Sequence, residues 1–163
     1  MKKQYTRREV VLLSGFILYC AVMLWLLFFR NWEYIPNLPY KQMLLRNLNL
    51  QPLRTIRNYL RVLSLGKDAE QIRAAIINLG GNIFLFIPAG VLIPTLWPWM
   101  RKYLRLLAVY SGAIFAIEVL QLFTLLGSFD IDDLILNVFG MTLGFILFSI
   151  ANAPKNTDKE QAI

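Results

Sequence analysis

Four stretches of the chain are almost free of charge, and each is 20 or more residues long. They cover residues 10–29, 74–100, 106–129 and 134–153, and their single charged residue is Glu118. About 20 consecutive apolar residues cross the hydrocarbon core of a bilayer as a helix. The pattern therefore predicts an all-α membrane protein, a bundle of four transmembrane helices.

The predicted spans divide the chain into successive segments. In order, these are a basic cytoplasmic N-terminus at 1–9, span 1 at 10–29, an extracytoplasmic loop at 30–73, span 2 at 74–100, a cytoplasmic turn at 101–105, span 3 at 106–126, an extracytoplasmic turn at 127–130, span 4 at 131–153 and a cytoplasmic tail at 154–163. Pro88 removes a helical hydrogen bond and predicts a kink in span 2. Gly140 and Gly144 form a G-x-x-x-G pattern, which predicts close approach of another helix to span 4.

A few polar side chains lie at one depth in three of the predicted spans. At a rise of 1.5 Å per residue, Asn82 and Glu118 both lie about 12 Å below the same membrane boundary. Asp133 and Asn137 lie about 5 and 10 Å below that boundary, and Gln121 neighbours Glu118 on its helix. Polar groups that face lipid cost several kcal/mol each. We therefore expect these five residues to share one outward-facing pocket and to bind its ligand.

The same polar residues also have structural explanations. Asp130 could be the N-cap of span 4, with Asp132 and Asp133 stabilised by the positive end of its helix dipole. Side-chain amides could instead tie helices together through hydrogen bonds, and these are Asn78, Asn82, Gln121 and Asn137. Function is favoured at Glu118, because a carboxyl group at that depth must be protonated, paired or hydrated. Its own span contains no Lys or Arg.

Residues 52–65 of the first loop are predicted to form an amphipathic helix in the membrane interface. Leucine and isoleucine recur there at helical spacing, and Arg54, Arg57 and Arg61 recur on a different face. One interpretation is a helix held by anionic lipid headgroups in general. The other is recognition of a specific phosphate, because guanidinium groups bind phosphate in bidentate fashion. Both make the three arginines candidates for headgroup binding.

The excess of basic over acidic residues is explained by lysines and arginines that flank the spans. The net charge is +7, which in this setting does not indicate a nucleic-acid partner. The positive-inside rule places the N-terminus, the 101–105 turn and the C-terminal tail in the cytoplasm. The 30–73 loop opposes this orientation, since it carries eight basic residues.

The chemistry available to the chain is narrow. It contains no His and a single cysteine, Cys20, so it lacks the commonest general base and cannot form an intrachain disulfide. No cofactor is evident. A divalent cation held by Asp130, Asp132 and Asp133 stays open as an alternative, because carboxylates suit hard cations.

Three segments together resemble the VanZ-like membrane proteins. Residues 82–90 read N-I-F-L-F-I-P-A-G, similar to that family's N-x-x-x-F-x-P-x-G segment. Residues 118–144 are similar to its second block, from E-x-x-Q through G-S-F-D-I-D-D-L to the two glycines. Residues 47–53 are similar to its N-L-x-P-F segment, with Leu53 where an aromatic is usual. The resemblance covers 47–148, but the arginine that many relatives carry before the Asp cluster is absent here.

The resemblance implies a multi-pass protein of the bacterial cytoplasmic membrane whose family is associated with resistance to teicoplanin-type glycopeptides. The favoured function is non-enzymatic, with membrane lipids or a lipid-linked cell-wall precursor as partner and effects on the cell envelope. The alternative is an enzyme that acts on a phospholipid or polyprenyl-phosphate-linked substrate, with Glu118 as acid or base beside the Asp cluster. No nucleophile–base pair is recognisable, which counts against catalysis. The sequence does not indicate an oligomeric state.

Overall fold

The computed structural model describes residues 6–29 and 38–153. The predicted tail at 154–163, residues 1–5 of the predicted N-terminus and residues 30–37 of the first loop lie outside this part of the chain. The helices are α1 (Arg7–Phe29), α2 (Tyr40–Arg46), α3 (Arg54–Leu65), α4 (Ala69–Phe84), α5 (Ile87–Leu96), α6 (Tyr103–Thr124) and α7 (Ile131–Ala151). Two short strands, β1 (Leu48–Asn49) and β2 (Phe129–Asp130), and a 3-10 turn at Pro98–Arg101 complete the described elements.

Within residues 6–29 and 38–153, four helical segments are long and apolar enough to cross a membrane. They are α1, α4 with α5, α6 and α7. The predicted all-α membrane fold with four spans is thereby confirmed. The second span starts at Ala69, before the predicted residue 74, because Asp68 accepts a hydrogen bond from the Glu70 N–H (2.9 Å) and begins the helix there.

The second span is broken into two helices just before Pro88. Phe84 ends α4, and α5 starts at Ile87 with proline in its first turn. A proline within a helix removes one hydrogen bond and its ring crowds the carbonyl four residues earlier. The Tyr19 hydroxyl of α1 donates to the Leu85 carbonyl at 2.9 Å, so the break also receives a hydrogen bond from a neighbouring helix.

Helix α7 approaches the second span backbone to backbone. A Cβ atom on Gly140 would overlap the Ile83 carbonyl, and one on Gly144 would overlap the Ile87 carbonyl. The approach is mutual, because a Cβ atom on Gly90 would overlap the Met141 carbonyl. Glycine is therefore required at these positions, as the G-x-x-x-G pattern predicts.

The loop between α1 and α4 folds back over the end of the bundle. Strand β1 pairs in parallel with β2, with Leu48 opposite Phe129 and Asn49 opposite Asp130. Neither the strands nor α2 was predicted from the sequence. Helix α3 begins after Leu53, whose φ of 63° makes it a left-handed N-cap residue. The position of α3 in a membrane interface stays a prediction.

Candidate functional site

A cavity of about 870 Å³ lies where the bundle meets the folded loop. Its walls come from the C-terminal ends of α1 and α6, from α4, and from the N-terminal turns of α7, with α2 and α3 contributing from the loop. The polar side chains that line it are Arg46, Asn47, Thr55, Tyr59, Asn78, Asn82, Glu118, Gln121, Ser128, Asp130, Asp133 and Asn137. The five residues expected to share a pocket from their depth are thus all among its lining residues.

Carboxylates from two helices face the cavity and are held by neighbouring donors. Asn82 Nδ2 of α4 donates to Asp133 Oδ1 of α7 at 2.5 Å. Glu118 Oε2 of α6 accepts the backbone N–H of Asp130 at 3.2 Å. Glu118 is only 3% exposed, so this contact holds it against the start of α7. The result is an acidic wall built from Glu118, Asp130 and Asp133.

Asn137 lines the polar cavity with a buried oxygen whose bonding is incomplete; the Tyr110 hydroxyl, in the neighbouring apolar cavity, is likewise buried without a partner among the described residues. Asn137 lies one turn after Asp133 on α7 and is 2% exposed. Its Oδ1 atom is buried and has no hydrogen-bond partner among the residues that the structure describes. An unpaired buried acceptor costs about 1–3 kcal/mol. Asn137 is also one of the residues that line the cavity.

Gln121 and Asn78 both donate to backbone carbonyls. Gln121 Nε2 donates to the Leu27 carbonyl at 2.7 Å and thereby ties α6 to the last turn of α1. Asn78 Nδ2 donates to the Ala74 carbonyl of its own helix at 2.8 Å. Gln121 therefore fits the interpretation that side-chain amides tie helices together. Asn78 does not join a second helix through its bond to Ala74.

Asp130 links the loop to α7. Its Oδ1 accepts the Asp132 N–H at 2.9 Å, which makes Asp130 the N-cap of α7, as one interpretation of the sequence held. Its Oδ2 accepts the Thr55 hydroxyl at 2.7 Å and Asn49 Nδ2 at 3.1 Å. One carboxylate thus joins α7 to α3 and β1.

Asp132 has a role that the sequence did not indicate. It is fully buried, does not line the cavity, and caps α3 instead. Its Oδ1 accepts the Leu53 N–H at 2.5 Å, and its Oδ2 accepts the N–H groups of Thr55 (2.7 Å) and Ile56 (3.1 Å). A carboxylate at a helix N-terminus satisfies donors that the helix leaves unpaired.

The Asp cluster does not fit a cation site in this geometry. Within residues 6–29 and 38–153, no three His, Cys, Asp or Glu side chains are grouped as metal ligands. Both oxygens of Asp132 are engaged by the backbone of α3. Binding of a divalent cation by Asp130, Asp132 and Asp133 remains an untested alternative.

The arginine that lines the cavity differs from the three arginines that the sequence indicated as headgroup-binding candidates. Arg46, at the end of α2, lines the cavity while remaining exposed at its rim. Arg54, Arg57 and Arg61 are exposed on α3 and do not line it. Asn47 could have directed attention to this part of the loop, because it lies in a segment that carried the family resemblance.

A second cavity of about 290 Å³ lies between α1, α5 and α6. Its lining is apolar apart from the side chains of Tyr19, Cys20 and Tyr110. It shares three residues with the polar cavity, namely Met23, Leu27 and Phe86. The two cavities are therefore neighbours with a common wall.

The three segments that carried the resemblance all contribute residues to the polar cavity. The family model VanZ/LLP1 matches residues 16–152. The chain belongs to the VanZ family. It is 25% identical over 143 residues to Protein VanZ of Enterococcus faecium, which covers 87% of this chain and 76% of that protein. The VanZ match includes most of α1, which the sequence motifs had left outside the resemblance. No solved structure matches the chain.

Proposed function

We propose that this VanZ-family protein binds the headgroup of an anionic membrane lipid in its polar cavity. The observation that carries the proposal is Asn137 Oδ1, a buried acceptor without a partner in the described chain that lines a cavity rich in amides and carboxylates. Buried polar groups are nearly always hydrogen-bonded in proteins. A bound headgroup that carries O–H or N–H donors supplies the missing bond.

The charges favour a ligand with two chemically distinct parts. Arg46 at the rim suits a phosphate group, whereas Glu118, Asp130 and Asp133 would repel an anion placed against them. Hydroxyl or amino groups, in contrast, donate well to carboxylates and amides. The headgroup therefore has its phosphate at the rim and its donor-rich end against the acidic wall.

The cavity is placed to receive such a lipid from the membrane. Of residues 7–28 in α1, only Met23 is buried, so most of this helix faces outward beside the cavity that it helps to line. We place the cavity on the outer side of a bacterial cytoplasmic membrane, with both termini in the cytoplasm. A lipid-linked cell-wall precursor fits this location, and its binding would alter the envelope or its susceptibility to teicoplanin-type glycopeptides.

An enzymatic role for Glu118 has less support. In the part of the chain that the structure describes, the hydrogen bond found for its carboxylate comes from a backbone N–H. General acid–base catalysis of a group transfer usually pairs such a carboxyl with a nucleophile or a metal ion. Binding without chemistry is therefore the function that we put forward.

Asn137→Leu tests the proposal directly. The full-length protein, in mixed micelles, is labelled with a lysophosphatidylglycerol that carries a diazirine in its acyl chain, a probe with one phosphate and a hydroxyl-rich headgroup. We expect about tenfold less labelling, equivalent to one lost hydrogen bond of about 1.4 kcal/mol. Thermal stability should not fall, because the substitution removes an acceptor without a partner. Asn58→Leu on the exposed face of α3 is the control. Full labelling of Asn137→Leu would contradict the proposal.

A further inference from the structure

We infer that the apolar cavity between α1, α5 and α6 holds the hydrocarbon chain of the lipid whose headgroup occupies the polar cavity. This inference rests on the proposed function and extends it, since it makes the ligand a single-chain amphiphile held at both ends. We call the apolar cavity the chain groove.

The chain groove adjoins the polar cavity, and the two spaces share part of their walls. Met23 and Leu27 of α1 and Phe86 of α5 line both spaces. A chain attached to a headgroup in the polar cavity must leave along a wall of that cavity. At Met23 and Phe86 the space on the other side of that wall is the groove, so we assign the chain to it.

One face of α1 lines the groove along its length. Its contributing residues follow the helical spacing i, i+3, i+4, i+7, i+8 and i+11. They are Phe16, Tyr19, Cys20, Met23, Leu24 and Leu27. This spacing places them on a single stripe. From Phe16 to Leu27 the helix rises about 16 Å, so the groove runs well into the hydrocarbon region.

The size of the groove favours one chain. Its volume of about 290 Å³ is close to the lower end for small-molecule pockets, whereas the polar cavity holds about 870 Å³. Hydrocarbon gains little by moving from lipid to an apolar protein surface, because lipid tails are as apolar as leucine. The tether to the bound headgroup supplies the preference instead, since it keeps the chain at high local concentration beside the groove.

Ala113 offers a way to fill the groove without touching the polar cavity. It lines the groove on α6 and is absent from the lining of the polar cavity. Ala113→Trp should therefore block the chain, and Ala113→Leu is a milder second variant should tryptophan disturb folding. Ala116→Trp is the matched control, because Ala116 lies on the same helix, is exposed and lines neither cavity.

The experiment uses the same diazirine-bearing lysophosphatidylglycerol on the full-length protein, with mapping of the labelled peptides. In the unmodified chain we expect label on the groove residues of α1 and α6. Ala113→Trp should reduce this label at least fivefold and Ala113→Leu should reduce it less, while Ala116→Trp leaves it unchanged. Label spread evenly over all lipid-facing helices, or unchanged in Ala113→Trp, would overturn the inference.

The outcomes separate the groove from the headgroup site. If Asn137→Leu reduces labelling but Ala113→Trp does not, the headgroup site stands and the chain groove is rejected. If only Ala113→Trp reduces labelling, the groove binds a chain without help from the headgroup. That result rejects the headgroup site, and with it the inference that one lipid occupies both cavities. If neither variant reduces labelling, both proposals fail.

Discussion

At the scale of single residues, Glu118 and Asn137 meet the cost of burial in different ways. Glu118 accepts the backbone N–H of Asp130, the N-cap of α7, so part of its hydrogen-bonding capacity is used within the protein. Asn137 Oδ1 has no such bond in the described chain. We therefore expect Glu118 to act as an acceptor that the fold has already oriented toward the cavity.

Glu118→Gln separates the charge of this residue from its shape. The amide oxygen can still accept the Asp130 N–H, so membrane abundance should stay near normal. A headgroup donor bound to a neutral amide loses the strength of a charge-assisted bond, and we expect roughly tenfold weaker lipid labelling. If the parent protein alters teicoplanin susceptibility, that effect should fall in parallel.

Normal abundance together with full labelling in Glu118→Gln would reject a role for the charge. Hydrogen bonding to Asp130 would then be the whole function of the side chain. Glu9→Gln, at the exposed first turn of α1, is a control for a change in net charge, because Glu9 is far along the chain from the cavity and does not line it.

The residues of the spans could be predicted because depth in a helix follows from sequence position. Asn82, Glu118 and Asn137 were assigned to one pocket by the fixed rise of the helix, and each lines the polar cavity. Arg46 and Thr55 could not be assigned in this way. They reach the cavity because the loop folds back, and that depends on contacts with residues far along the chain.

At the scale of elements, the buried carboxylate of Asp132 fastens α3 to α7, in addition to the bond between Thr55 and Asp130. Asp132 accepts three backbone N–H groups at the start of α3, and the three bonds range from 2.5 to 3.1 Å. Local capping rules assign an Asp in the first turn of a helix to that helix. They do not reveal that its side chain caps another helix, which is why this role escaped the sequence analysis.

Asp132→Ala should release α3 from the bundle. Three backbone donors would lose a charged acceptor, and hydrogen bonds to charged groups are worth about 1.5–3 kcal/mol each before the losses overlap. We expect limited trypsin digestion in micelles to cleave sooner after the exposed arginines of α3, which are Arg54, Arg57 and Arg61.

The control for this digestion is Asp68→Ala, which removes the N-cap of α4 but leaves α3 attached through Asp132. Its cleavage pattern within α3 should match that of the parent chain. Unchanged cleavage in Asp132→Ala would show that other contacts hold α3 in place.

At the scale of the whole molecule, the ends of the helices define two faces of the bundle. The polar cavity, the loop and the turn containing Ser128 lie at one face, and the turn containing Lys102 lies at the other. The positive-inside rule assigns the Lys102 face to the cytoplasm. The basic loop opposes that rule, but its Arg46 lines the cavity, where we propose that it binds the phosphate of a headgroup.

Cysteine labelling in intact cells decides the orientation. In a Cys20→Ser background, Ser128→Cys should react with an impermeant thiol reagent added outside, because Ser128 is exposed. Lys102→Cys is also exposed and should react only after the cells are opened. The reverse pattern would turn the polar cavity toward the cytoplasm and remove a surface-exposed precursor as its ligand.

The bonds between α3 and Asp132 also constrain the order in which the protein is made. The donor at Leu53 and the acceptor at Asp132 are 79 residues apart, and chains are synthesised from the N-terminus. The first turn of α3 therefore stays uncapped while the second and third spans are synthesised, and β1 waits for β2 over the same interval. Closure of the loop over the bundle therefore follows the synthesis of residues 129–132, at the start of the last helix.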